Sequence, residues 1–175
     1  LGDVYKRQFK NNVTVSQLAL GNEAKEVSTN FDYGKTSIVE GNTVKMAPYD
    51  LLGIPKTNIV KIDVEGRELD VLVGMRNTLV NQKPDLLIEM QDASTYSDTF
   101  DFLQSVEYNM YWLPVSTFNS NNHKGNKHNI FGSQHGVVNW LCSTEELNTN
   151  LQPVVDKEDT ICLLYTSPSP RDTRE

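Results

Sequence analysis

Cysteine, basic charge and long apolar runs are all scarce in this 175-residue chain. Only Cys142 and Cys162 occur, too few for a disulfide framework or a thiolate zinc site. Lysine and arginine total 16 against 23 aspartates and glutamates, giving a net charge of −7. Binding to a nucleic-acid backbone needs a basic face, so no nucleic-acid partner is expected. No apolar run approaches the roughly 20 residues that a membrane-crossing helix needs, so no membrane partner is expected either. No internal repeat and no signal peptide are visible.

The two ends are related to each other. Leu1 to Gln8 can be encoded by a DNA stretch whose reverse complement, read one base out of frame, spells Cys162 to Ser169. Unrelated protein segments would almost never share such a relation. Both ends resemble the translated transposon-end adapter used to prepare sequencing libraries, and Pro170, Arg171 and Asp172 continue it. Residues 1–8 and 162–175 are therefore expected to be non-native, and residues 9–161 to be the biological sequence, open at both ends. Those ends carry four Lys/Arg and three Asp/Glu, so 12 basic and 20 acidic residues remain, a net charge of −8. Cys142 is then the single natural cysteine, which fits a reducing, cytoplasmic location.

Strands and helices alternate along the expected natural part. Val13–Leu20 reads as a strand closed by Gly21-Asn22. Thr36–Val39 and Thr43–Met46 flank Glu40-Gly41-Asn42 as a hairpin. Pro48–Leu52 fits one helical turn with proline at its first position. Asn58–Val64 is a strong strand, and a helix opens after it at Gly66, with Leu69, Leu72, Met75 and Leu79 on one stripe and Gly74 as a weak point. Asp85–Met90 is the next strand. Tyr96, Phe100, Leu103 and Val106 mark an amphipathic helix, and Tyr108–Leu113 a further strand. Residues 116–129 form a polar, Asn-rich loop, and Gly136–Cys142 a last strand. Two strand–helix–strand units in succession imply an α/β fold whose sheet is mostly parallel, with helices on its faces.

The chemistry is concentrated in Lys61-Ile62-Asp63-Val64-Glu65-Gly66. In open α/β sheets ligands sit beyond the carboxyl ends of the strands, where Asp63 and Glu65 fall. If the strand stays extended through Glu65, the two carboxylates share one face and converge on a pocket, where one serves as general base or orients a substrate. Gly66 permits a sharp exit. Glu89 ends the neighbouring strand and would border the same crevice. The alternative is that Asp63 and Glu65 merely complement the N-terminus of the next helix. Lys61 faces away from Ile62, where it would pair with a carboxylate. His123, His128 and His135 match no compact metal motif, so no metal site is expected. Trp112 and Trp140 are expected in the core.

Residues 59–75, with Lys-Ile-Asp-Val-Glu-Gly followed by Glu68-Leu69 and by Leu72-Val73-Gly74-Met75, resemble the signature of FkbM-type methyltransferases. The resemblance extends to Val13–Gly21, Val44–Leu52, Pro84–Glu89, Val106–Leu113 and Asn139–Cys142, with Tyr49 where leucine is usual and Glu107 where glycine is usual. It implies a Rossmann-like class I methyltransferase fold, with S-adenosylmethionine as cofactor. The expected reaction is O-methylation of a sugar or other small metabolite. It also implies catalytic roles for Asp63 and Glu65, cofactor contacts from Leu18, Ala19 and Asp63, and a substrate contact from Glu89. The family's first two strands and its Gly-rich cofactor turn have no counterpart here. In the family's sheet they lie between the strands that correspond to Val13–Leu20 and Asn58–Val64. Val13–Leu20 would then lose its only neighbour, and the segment alone is expected to bind no cofactor and to be inactive. Two other readings remain open: a metal-dependent glycosyl- or phosphotransferase using Asp63 and Glu65, and a non-catalytic binding relative.

Overall fold

Short β-prone runs assemble into two four-stranded sheets in the computed structural model, which describes residues 13–32, 35–38, 42–90, 95–116, 118–128 and 136–156. The first sheet contains β1 (Ala19–Leu20), β2 (Lys25–Asp32), β3 (Lys35–Ile38) and β4 (Asn42–Ala47), in the order β1-β4-β2-β3. The second contains β5 (Ile59–Ile62), β6 (Asp85–Glu89), β7 (Asn109–Ser116) and β8 (Gly136–Ser143), in the order β5-β6-β8-β7. Three α-helices are described: α1 (Glu68–Gly74), α2 (Arg76–Gln82) and α3 (Tyr96–Ser105). The α/β class stands.

The mostly parallel sheet does not. Two of the six described pairings are parallel, β1 with β4 and β5 with β6; the others are antiparallel. In the second sheet β5, β6 and β7 run in one direction, as expected. β8 inserts antiparallel between β6 and β7, placing Trp140 opposite both Ile88 and Trp112. Trp140 is fully buried there and meets Trp112 edge-on, with ring centroids 5.9 Å apart. That burial of two large rings explains why β8 takes a central place.

The first sheet also departs from expectation. Val13–Leu20 shrinks to the two-residue β1, whose neighbour is β4, so this strand is not left alone. β2, with Val27 as its buried apolar side chain, was not anticipated, because its polar run shows no clear alternation. β2 separates the two expected hairpin arms: β3 and β4 both pair with β2 and not with each other. Val39, Glu40 and Gly41 lie outside the described residues.

The expected turn at Pro48 is a 3-10 helix over Tyr49–Leu51, with Pro48 at its N-cap and φ −60°. Asp50 reaches from this turn to the start of α2. Its carboxylate accepts from the Asn77 and Thr78 backbone N–H groups, at 2.8 and 3.0 Å, and from the Thr78 hydroxyl, at 2.6 Å. A tertiary cap of this kind stabilises a helix start by about 1 kcal/mol.

The single helix expected after Gly66 is two helices broken at Met75. Gly74 is the reason the segment can lie where it does. A Cβ there would stand 2.0 Å from the Gly21 carbonyl oxygen and 3.2 Å from Pro48 Cα. Helix α1 thus rests against the backbone leaving β1. Asn22 Nδ2 adds a hydrogen bond to Asp70 Oδ1 at 3.1 Å.

The core lies between the second sheet and the helices. It is built by Ile62, Leu72, Met75, Leu79, Leu86, Ile88, Phe100, Leu103 and Trp140, among others. The α3 stripe of Tyr96, Phe100, Leu103 and Val106 is buried as its spacing implies. Two buried phenol hydroxyls are satisfied by main chain: Tyr96 donates to the Met90 carbonyl at 2.7 Å and Tyr108 to the Pro84 carbonyl at 2.8 Å. Burial holds the Tyr108 phenol and the Cys142 thiol well above their ordinary pKa values.

Candidate active site at the carboxyl end of β5 and β6

β5 and β6 run parallel in register, with Ile62 opposite Ile88. Their chains therefore leave the sheet side by side. Asp63 follows β5, and Glu89 is the last residue of β6. Lys61 spans the pair: its ammonium donates to Asp63 Oδ2 at 2.7 Å and to Glu89 Oε2 at 3.4 Å. The Asp63 and Lys61 side chains are about half exposed, at 44% and 49%, whereas Glu89 is at 14%. The hydrogen bond to Asp63 is the main cause of a raised Lys61 pKa, against a smaller opposing effect of burial. Lys61 is thus held charged between two carboxylates, which limits repulsion between neighbouring acidic strand ends. The expected pairing of Lys61 is present, and Glu89 does border the rim occupied by Asp63.

Glu65 behaves differently from the expectation. β5 ends at Ile62, and Glu65 takes a left-handed conformation with φ 52°, followed by Gly66 with φ 90°. Glu65 therefore does not share an extended strand face with Asp63. The chain reverses direction here, and Gly66 tolerates the positive φ that a side chain resists. Glu65 stands exposed in the loop between β5 and α1. Neither Asp63 nor Glu65 lies within a helix.

The helix-capping alternative fares poorly for Asp63, which bonds Lys61. The α1 N-cap is Arg67, without a side-chain cap bond, and the acidic residues of the first turn are Glu68 and Asp70. Leu18 immediately precedes β1, and Ala19 is its first residue, opposite Met46 of β4; both are half buried. No described hydrogen bond or ion pair joins them to Asp63. His123 and His128 are exposed in the Asn-rich segment, and His135 lies outside the described residues. Among the described residues no group of three or more His, Cys, Asp or Glu is placed to hold a metal ion. No helix among them is long and apolar enough to cross a membrane.

Glu68 is the residue that reading the sequence missed. It is 1% exposed, and its Oε1 accepts from the Gly66 backbone N–H at 2.9 Å. Its Oε2 is buried without a hydrogen-bond partner. A signal existed: Glu68 stands four, seven and eleven positions before Leu72, Met75 and Leu79. It therefore falls on the buried stripe of the helical segment, where a charge is out of place.

Fold and rim together define an α/β protein with an acidic loop at the carboxyl end of two parallel strands. The chain belongs to the FkbM methyltransferase family: the Methyltransferase FkbM domain matches residues 10–110. A crystal structure described as methyltransferase FkbM from Methylobacillus flagellatus KT is similar in fold, with a TM-score of 0.51 and 19% sequence identity. The match covers 80% of this chain and 32% of that one, so the chain spans about a third of that protein's length. No curated protein matches the chain.

Proposed function

We propose that this chain is the carboxyl-terminal portion, residues 9–161, of a methyltransferase that uses S-adenosylmethionine. In this reading the intact protein transfers the methyl group to a hydroxyl of a sugar or similar small metabolite in the cytoplasm. The observation that carries the reading is the acidic loop of Asp63 and Glu65 beyond the end of β5, where α/β sheets bind their ligands. Family membership supports methyl transfer. The common direction of β5, β6 and β7 supports a Rossmann-like sheet.

The donor set fits such a cofactor in charge. When bound, S-adenosylmethionine supplies a methyl group on a positively charged sulfur, and Asp63 and Glu65 offer negative charge to that cation. Asp63, within reach of the same rim, takes the proton of the substrate hydroxyl as general base. Glu89 borders the substrate side. Most of the acceleration would come from holding the substrate hydroxyl in a fixed position, a task for a preorganised rim. Lys61, bonded to Asp63, fixes the direction of that carboxylate.

A metal-dependent transferase is less well supported. Lys61 already bridges Asp63 and Glu89, and the left-handed Glu65 does not extend the strand face that would pair it with Asp63. Among the described residues β5 has no strand on its outer side, which leaves an edge where a further strand can pair. The 175-residue chain is expected to show no S-adenosylmethionine binding in isothermal titration; tight binding would overturn that expectation. In the intact parent, Asp63→Asn is expected to lower kcat about 10²- to 10⁴-fold. Wild-type turnover in that variant would remove Asp63 from the site.

A further inference from the structure

Glu65 is a non-glycine residue in the left-handed region, and Gly66 after it also has positive φ, at 90°. A non-glycine residue there persists only when its surroundings over-determine it, whereas Gly66 takes its positive φ freely. One contact on this turn is made by Glu68, whose Oε1 accepts from the Gly66 N–H at 2.9 Å from a side chain only 1% exposed. A carboxylate at a first-turn, inward position is an unfavourable choice for packing alone, since Oε2 finds no partner. Its neighbours on the same face, Val71 and Leu72, are apolar and buried. The polar contact that this side chain does make is to the turn above it.

We propose that Glu68 is a positioning residue for the acidic rim: by clamping the Gly66 amide from below, it fixes the left-handed turn and so sets where the Glu65 carboxylate stands. This rests on the reading of Glu65 as part of the methyl-transfer site, but the clamp itself is a property of the chain that needs no cofactor. The role is distinct from that of Lys61, which holds Asp63 from the exposed side of the rim.

The experiment is amide and side-chain NMR on the full 175-residue chain, comparing wild type with Glu68→Gln and Glu68→Ala. In wild type the Gly66 amide is expected to exchange at least tenfold more slowly than that of the exposed Gly53. The Glu65 Cα and Cβ shifts are expected to report the left-handed backbone. Glutamine keeps an acceptor oxygen and is expected to preserve both signatures. Alanine is expected to lose the Gly66 protection and shift Glu65 out of the left-handed region. Protection at Leu79 and Trp140 reports separately that the core of each variant is folded.

The proposal is overturned if Gly66 exchanges as fast as Gly53 in wild type. It is equally overturned if the alanine variant keeps both signatures, or if glutamine fails to restore them in a folded chain. A methyltransferase reading that failed through Asp63→Asn in the parent would leave these outcomes unchanged, so the two failures are distinguishable.

Discussion

The two sheets of this chain are held in place by different physics. The second sheet is packed against α1, α2 and α3 and carries nearly all the buried apolar side chains, with Leu72, Leu79, Leu86, Ile88, Leu103 and Trp140 wholly enclosed. The first sheet contributes Val27 and Met46 to the buried set among the described residues. It is held in place by close backbone approach and polar contacts: Gly21 against Gly74, and Asn22 with Asp70. The lesson is that the candidate site stands on the sheet with the dry core, where a carboxylate can be held to a fixed geometry. The first sheet relies on fit at a few points.

The sharpest test of this contrast is a core truncation in each sheet. Trp140→Ala is expected to cost about 3–5 kcal/mol in urea unfolding. Val27→Ala is expected to cost no more than about 2 kcal/mol. Equal losses would break the comparison. Gly74→Ala comes next, because its Cβ would collide with the Gly21 carbonyl at 2.0 Å, backbone against backbone. A loss of about 1–3 kcal/mol is expected, with faster proteolysis within residues 19–47 and retained burial of Trp140 by fluorescence. Unchanged proteolysis would show that the first sheet does not depend on that approach.

Alkaline pH should act on the second sheet selectively. Burial raises Cys142 from its ordinary 9.0 and Tyr108 from its ordinary 10.0. Folded chains then hold these protons more tightly than unfolded ones. Their contribution to stability is whole below about pH 9 and falls as pH rises above those ordinary values. Urea midpoints measured from pH 7 to 11 should decline above pH 9, and less steeply in Cys142→Ala; a flat profile would contradict the buried environment. The smallest effect is expected for Lys61→Met. Lys61 and its nearer partner Asp63 are about half exposed, so stability should change by only about 0–1 kcal/mol. The side-chain carboxyl resonances of Asp63 and Glu89 should move clearly all the same. A large stability loss would mean that the rim is structural.

Much of the second sheet was legible beforehand. The runs at β5 and β6, the stripe of α3 and the weak point at Gly74 are local patterns, and local patterns report element type. The first sheet was read less well. β2 has a polar sequence and exists because it pairs on both sides, which no window of neighbouring residues reveals. At the site, Asp63 and Glu89 were found from their positions at strand ends. Glu68 was passed over because a glutamate early in a helix is ordinary, although its place on the stripe of Leu72, Met75 and Leu79 marked it, and its burial makes it unusual.

The sequence by itself determined which family this chain joins, where the strands β5 and β6 and the helix α3 form, and that acidic groups follow β5. Tertiary structure decided that β8 enters between β6 and β7, that Glu65 turns left-handed and that Glu68 is enclosed beneath it. The reason is one of range. Periodicity and composition act over a few residues, whereas strand order, burial of a charge and reversal of a loop are set by contacts between segments far apart in the chain.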